Sequence, residues 1–358
     1  MKKVMIAAGG TGGHIYPGLA LAEVLIEKNP GLEVVFIGSS SRMEATLIPS
    51  AGYRFIGIEV KSTYGGLWNK VESAVSMIKE ERECADILQK EKPDAVVGFG
   101  NYISVPVITA AHRLHIPTMI SEQNSFMGKA NRYLVRYADA VEASYPSSIE
   151  GIAKARCLGN PQATHAIRQA PHPELLETYG LNPLRPFVFV MMGSLGSDSV
   201  SAAVDDALGL LDPDFQVLIA AGKANDYHFV HAQNANVHIV EFVNGSAMLR
   251  QCDLAVLRAG ATTLAEAAAL GTAAILIPSP YVPNNHQVYN AREFVNAGAA
   301  EMIEEKDLSG ERLADAVNRL MKDEAARTAM SLKAKTLARP DAAETTADWL
   351  MEIAHERA

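Results

Sequence analysis

AAGGTGGHIYPGLALAEVL, residues 7–25, follows directly on the apolar run VMI. Four glycines in five positions (Gly9, Gly10, Gly12, Gly13) separate a short strand from a stretch with helical apolar spacing. A glycine loop between a strand and a helix is the first half of a βα unit. Bare backbone N–H groups at such a helix start stabilise phosphate or developing negative charge. A tight turn with no ligand accounts for one such glycine less strainedly than for four beside a threonine and a histidine. The loop is not GxGxxG, because counting from Gly10 the third position is Ile15, and it lacks the GK[ST] ending of a nucleotide-hydrolysing loop. A nicotinamide oxidoreductase is therefore disfavoured.

The same pattern repeats outward. KKVMIAAG, EVVFIGS, DAVVGFG and PTMIS read as buried strands, with PGLALAEVLIEK, SVPVITAAHRL and ANRYLVRYA as helices among them. It restarts with RPFVFVMMGS, then the helix GSDSVSAAVDDALGLL, then FQVLIAAG, DLAVLRAG, the helix TTLAEAAALG and AAILIP. Alternating strands and helices predict an α/β protein with parallel sheets covered on both faces. With 358 residues the expectation is two doubly wound domains facing a cleft, 1–160 and 161–340. The Pro- and Asn-rich stretch GNPQATHAIRQAPHPELLETYGLNPLRP supplies the join. The last helix, about 341–358, has no strand after it and is free to cross back to the first domain.

Composition narrows the class. Lys+Arg total 32 against 41 Asp+Glu, a net charge of −9, which lacks the basic footprint of a nucleic-acid binder. No apolar run reaches the ~18–20 residues of a membrane span, and MKK leads straight into a strand, so no signal peptide is read. Cys84, Cys157 and Cys252 are odd in number and far apart, against a disulfide framework or a zinc site. The expected compartment is the cytoplasm. DPD at 212–214 lies between a helix and a strand and reads as a turn, so no metal site is assigned.

Further loops share the position of the first. GFGNYISVP (98–106) and MGSLGS (192–197) each follow a strand and precede a helix, and Ser194 with its neighbouring N–H groups suits a diphosphate. His14 reads equally as a neutral base for a substrate hydroxyl, its pKa depressed by the helix terminus, or as a histidine satisfied by a backbone carbonyl. In RAGATTLAEAAALG (258–271), Glu266 suits both hydroxyls of a ribose or, as a first-turn acid, complements the helix dipole. Asn284, Asn285, His286 and Gln287 suit sugar hydroxyls or form a solvated polar loop. Leu67, Trp68, Val71, Val75 and Ile78, with Lys61, Lys70 and Lys79 nearby, form an apolar stripe for a headgroup region or for packing on a sheet.

GGTGGHIYPGLALAE, RMEATLIP, GFGNYISVP, EQNSFMGKANRYL, GNP, MGSLGS, RAGATTLAE and NHQVYNA occur in this order across nearly the whole chain. In this set and order the chain resembles the MurG family of N-acetylglucosamine transferases. The resemblance implies a GT-B fold of two Rossmann-like domains, with the acceptor held mainly by the N-terminal one and the nucleotide sugar by the C-terminal one. It implies an inverting hexosyltransferase that moves N-acetylglucosamine from UDP-GlcNAc to the C4 hydroxyl of lipid I, making lipid II for peptidoglycan, and so serves cell-wall growth, shape and division. No cofactor is required, although a divalent cation could stimulate. The implied partners are UDP-GlcNAc, the undecaprenyl-diphosphate-linked muramoyl-pentapeptide, the inner face of the cytoplasmic membrane and other wall-synthesis proteins.

Carried over by position, Thr11, Gly12 and Gly13 border the donor site, and His14 is the base or the residue that orients the acceptor. Asn124 contacts the donor sugar, and Ser194 belongs to the diphosphate loop. Val243 lines the uracil pocket, while Ala261, Thr262, Thr263, Leu264 and Ala265 wrap the phosphates and ribose. Glu266 holds ribose hydroxyls, and Gln287 holds the N-acetylglucosamine. The GGTGGH loop then faces the reacting centre and the acceptor's own diphosphate. Two features depart from the family. Gln162 stands in the substrate-binding position where an arginine usually follows GNP, and a lost charged contact to phosphate costs about 1.5–3 kcal/mol. The chain is also acidic, which bears on membrane attachment. A transferase for another lipid acceptor, such as diacylglycerol, and a catalytically weak donor-binding scaffold are the competing readings. GGTGGH with EQNSFMGKAN opposes the first, and intact His14, Glu266 and Gln287 oppose the second.

Overall fold

The computed structural model describes residues 1–59, 69–192, 198–222, 227–233 and 235–357, with backbone alone for 69–77 and 233. The chain divides into two compact units, one of Met1–Thr164 with Asp341–Ala358 and one of His165–Pro340.

The first unit is built on a parallel sheet of β1 (Lys3–Ala7), β2 (Glu33–Ser39), β3 (Arg54–Ile58), β4 (Ala95–Gly98), β5 (Thr118–Glu122), β6 (Ala140–Ala143) and β7 (Ala155–Cys157). Its order is β3-β2-β1-β4-β5-β6-β7. Because helices cover both faces, the central strands β1 and β4 are apolar almost throughout rather than alternating with polar residues, while β5 and β6 carry the buried polar residues Thr118, Ser121, Glu122 and Glu142. In β1, Val4 and Ile6 enter one buried cluster while Met5 and Ala7 enter the other. The chain leaves β1 toward β2 and β4 toward β5, in opposite directions, so the order reverses between β1 and β4. Loops at the carboxyl ends of two such strands open a crevice, the usual ligand site of doubly wound sheets. Here those loops are GGT and FG, after β1 and β4.

The second unit repeats the plan with β8 (Phe187–Met191), β9 (Gln216–Ala220), β10 (Val237–Val240), β11 (Leu254–Leu257), β12 (Ala274–Leu276) and β13 (Ala300–Met302). The order β10-β9-β8-β11-β12-β13 is again parallel and reverses between β8 and β11. MGSLGS and RAG follow those two strands.

Two helices differ from the sequence expectation. The helix after β1 spans Gly12–Lys28, so it starts inside the glycine loop and carries Pro17 within it. ANRYLVRYA is helical only over Lys129–Leu134, because the N–H groups of Tyr137 and Ala138 both turn back onto the Leu134 carbonyl. The C-terminal helix Ala342–Glu356 lies in the first unit, where Ala343, Ala347 and Leu350 join the cluster of Val4, Ile6 and Phe36. Polar contacts pin it along its length. Thr164 Oγ1 accepts from Ala343 N and donates to Glu344, each at 3.0 Å. Arg156 stacks over Trp349, and Arg357 pairs with Asp139 at 2.6 Å.

Candidate active site

In the first unit, Thr11 is the N-cap of the helix Gly12–Lys28 and His14 stands in its first turn. Thr11 Oγ1 and His14 Nδ1 lie 3.0 Å apart. The edge of the His14 ring faces the second loop, its Cδ2 being 3.6 Å from where a Cβ on Gly100 would sit. Gly100 has φ +86°, a conformation that favours glycine. The two loops after β1 and β4 are also joined directly, since Asn101 Nδ2 donates to the Gly9 carbonyl at 3.1 Å. The N–H of Gly10 donates to Glu44 Oε2 at 3.0 Å. That corrects one part of the sequence reading: this N–H is already committed to a carboxylate, so it is not among the bare donors of a phosphate cradle.

EQN forms a second group at the end of β5. Glu122 is buried and acts as its hub. Its Oε1 accepts from Asn124 N and Nδ2 at 3.0 and 3.1 Å, and its Oε2 from Gly128 N and Asn131 Nδ2, both at 2.9 Å. The candidate Asn124 is thereby oriented by its own motif. Asn131 Nδ2 is 3.2 Å from the same Cβ position on Gly100, so this group and the His14 ring both border that point of the loop after β4. Behind it, Ser121 Oγ donates to the buried Glu142, and Gln123 Nε2 donates to Ser121 Oγ at 2.8 Å. Burial pushes the Glu142 carboxyl up to about 8; the Ser121 hydrogen bond opposes this and the nearby Glu122 charge adds to it.

Gln162 also belongs to the first unit. It opens the helix Gln162–Arg168, is buried, and donates its N–H to Asn160 Oδ1 at 3.0 Å. The boundary predicted between 160 and 161 would have assigned it to the other domain.

In the second unit, RAGATTLAE follows β11, with Gly260 as N-cap of the helix Ala261–Leu270. Glu266 lies beyond the first turn, which holds no acid, so the reading of it as a first-turn acid complementing the helix terminus does not apply. Instead Glu266 Oε1 accepts from Ser246 Oγ at 2.8 Å. Ser246 sits on the helix Gly245–Gln251, whose N-cap Asn244 accepts from Ala247 N at 3.1 Å. The structure thus brings Ser246, three residues after Val243 of EFVNG, against Glu266 across 20 residues of sequence. Thr262, Thr263 and Ala265 are half-buried, whereas the side chains of Ala261 and Leu264 are in the core. The latter two can meet a ligand only through their backbone. Gln287 Oε1 accepts from Ser279 N at 2.8 Å, and the left-handed pair Asn284 and Asn285 leads into its helix. Arg258 is bound to Glu305 at 2.7 Å and to the Ile277 carbonyl at 3.1 Å. Ser194 lies outside the described residues. Asp212 of DPD pairs with Lys322 at 2.7 Å.

With both groups of residues in view, comparison with known proteins is decisive. A family described as the glycosyltransferase family 28 N-terminal domain matches residues 4–142, and its C-terminal counterpart matches 187–346. The UDP-N-acetylglucosamine–N-acetylmuramyl-(pentapeptide) pyrophosphoryl-undecaprenol N-acetylglucosamine transferase of Exiguobacterium sp. is 37% identical, covering 98% of this chain and 99% of that protein. The chain belongs to the MurG family. A Listeria monocytogenes protein of the same description is 36% identical over 98% of this chain and 99% of its own. The crystal structure of Acinetobacter baumannii MurG matches with a TM-score of 0.79 at 25% identity, covering 98% of this chain and all of that one. The GT-B expectation and the MurG resemblance are therefore met, and the chain is a UDP-sugar glycosyltransferase.

Glu44, Asn101, Glu122 and Asn131 join the candidate residues only through their partners in the fold. RMEATLIP, GFGNY and EQNSFMGKAN contained them, but the readable signal was the motif as a whole. Their roles come from backbone partners up to 92 residues away.

Proposed function

We propose that this chain transfers N-acetylglucosamine from UDP-GlcNAc to the C4 hydroxyl of the muramoyl residue in lipid I, releasing UDP. The observation that carries the reading is the Thr11–His14 pair at the order reversal of the first sheet. For His14 Nε2 to hold the lone pair, Nδ1 must carry the proton and Thr11 Oγ1 must accept it, and the 3.0 Å separation suits that bond. Nε2 then takes the proton of the C4 hydroxyl while its oxygen forms the new bond to the anomeric carbon. The bond from that carbon to UDP breaks on the opposite face, and the electron pair leaves with the diphosphate. No covalent sugar–enzyme intermediate arises, so configuration inverts.

Charge develops on the leaving diphosphate, where the amino-terminal N–H groups of the helix Ala261–Leu270 and the segment holding Ser194 stabilise it. Glu266, held by Ser246, takes ribose hydroxyls; Val243 lies against the uracil; Gln287 and Asn124 address the sugar. Thr11, Gly12 and Gly13, beside His14, are assigned to the border of the donor site. Gln162 takes the place of a charged phosphate contact, so donor affinity is expected to rest more heavily on backbone donors. The test supplies labelled UDP-GlcNAc with a lipid I analogue or with diacylglycerol. Label should enter the first acceptor alone, and transfer to diacylglycerol alone would overturn the assignment.

Lipid I is embedded in a bilayer, which supports peripheral attachment at the cytoplasmic membrane surface. No helix among the described residues is long and apolar enough to cross a membrane. Of the stripe read from the sequence, Ile78 is exposed at 52% and Lys79 is exposed beside it. Leu67, Trp68 and Lys61, and the side chains of Lys70, Val71 and Val75, lie outside the described residues. Replacing both Leu67 and Trp68 with serine should cut binding to anionic vesicles by roughly a hundredfold or more while leaving thermal unfolding unchanged, since burying two large apolar side chains contributes about 3 kcal/mol or more. Unchanged co-sedimentation would move the membrane surface elsewhere.

A further inference from the structure

Beneath the GGTGGH loop lies a charge that the transfer chemistry has not used. Glu44 opens the helix Glu44–Ser50 and is fully buried. Its Oε2 accepts the N–H of Gly10 and its Oε1 accepts the N–H of Ser39, each at 3.0 Å. One carboxylate thus ties the loop after β1 to the last residue of β2. Both strands leave room for it. A Cβ on Gly9 would lie 2.3 Å from Glu44 Oε1, and one on Gly38 would lie 2.9 Å from Glu44 Cγ.

The peptide between Gly9 and Gly10 is gripped from both ends. Glu44 takes its N–H, and Asn101 Nδ2 donates to its carbonyl at 3.1 Å. Gly10 then turns the chain with φ +83°, and a Cβ there would meet Asn101 Nδ2 at 1.9 Å. Thr11 and His14 follow immediately. An apolar side chain would fill the space but leave the N–H groups of Gly10 and Ser39 without an acceptor. What a carboxylate adds is direction: it accepts two converging N–H bonds and so fixes a peptide plane.

We propose that Glu44 is a positioning residue for the transfer. It sets the Gly9–Gly10 peptide plane and, through it, the aim of the Thr11–His14 pair. The proposal rests on His14 as the base, so His14→Ala is measured alongside.

The experiment is steady-state transfer to a lipid I analogue across pH by Glu44→Gln, Gly9→Ala and the double variant. The glutamine keeps the shape but presents an N–H₂ to one of the two N–H donors. Gly9→Ala keeps the carboxylate and displaces it from its seat. Each single variant should lose roughly 10–100-fold in kcat with donor KM within about threefold of wild type, and the double variant should lose little more than either. The acidic limb of the kcat/KM profile should move to lower pH in Glu44→Gln, because a misaimed Thr11 Oγ1 no longer supports the proton on His14 Nδ1. A purely structural role would lower the active fraction and leave that limb in place. Glu44→Gln with kcat within threefold of wild type, or with losses that only track the unfolded fraction and an unmoved limb, overturns the proposal when His14→Ala is crippled. A silent His14→Ala removes the base reading and this proposal together. Should Glu44→Gln fail to fold, Gly9→Ala decides by the same criteria.

Discussion

Replacing His14 with alanine lowers kcat for transfer by ~10²–10⁴-fold and leaves UDP affinity within about twofold of wild type. The size follows from the chemistry. A sugar hydroxyl is a poor nucleophile unless its proton leaves as the new bond forms, and a positioned imidazole supplies that acceptor. The selectivity follows from location. His14 stands at the loop after β1 in the first unit, whereas Glu266 and its partner Ser246, with Val243, belong to the second. Isothermal calorimetry with UDP and initial rates with a lipid I analogue separate the two effects. Loss of UDP binding in step with kcat would make His14 part of the donor site instead. Near-wild-type rates would remove it from the chemistry.

Replacing Glu142 with glutamine stabilises the protein near neutral and alkaline pH, and the gain grows with pH. The carboxyl is raised to about 8 in the fold, while in the unfolded chain it ionises near 4.3. Between those values the native state holds a proton that the unfolded state has released. Stability therefore falls as pH rises, by about 1.4 kcal/mol per pH unit from this one group. Full stability from this group is present below the unfolded pKa and is lost as pH approaches the folded one. Glutamine cannot ionise in either state, and it retains an oxygen to accept from Ser121. Urea unfolding of both proteins from pH 5 to 8 should give curves that diverge by several kcal/mol in total. Parallel curves would mean that Glu142 is ionised in the fold. The site shares in this, because Ser121 and Glu122 adjoin in β5 and Glu122 holds Asn124.

Much of the fold was legible because the central parallel strands, buried on both faces, are apolar almost from end to end. KVMIA, FVFVM and LAVL announce themselves, and glycines at their carboxyl ends mark the loops that flank each reversal of strand order. The destination of the last helix was not legible. Its apolar face would suit either sheet, and what distinguishes them is a set of pairs such as Arg156 with Trp349 and Thr164 with Glu344, which no local pattern encodes. The candidate site divides in the same way. His14 stood out because it is the only histidine in a glycine loop. Glu44 did not, because a buried carboxylate 34 residues away looks like any helix-opening acid until its backbone partners are seen. Glu266 was noticed, but its place beyond the first turn depended on where the helix starts. That start is set by Gly260 rather than by apolar spacing.

The configuration of the product tests the central claim most directly. Transfer from the α-linked donor UDP-GlcNAc to a soluble lipid I analogue, followed by proton NMR of the purified disaccharide, reports the new anomeric centre. Direct displacement with His14 taking the hydroxyl proton predicts a β linkage to the muramoyl C4 oxygen, with one UDP released for each sugar moved. An α linkage would contradict it, because retention requires a second displacement that this arrangement does not provide.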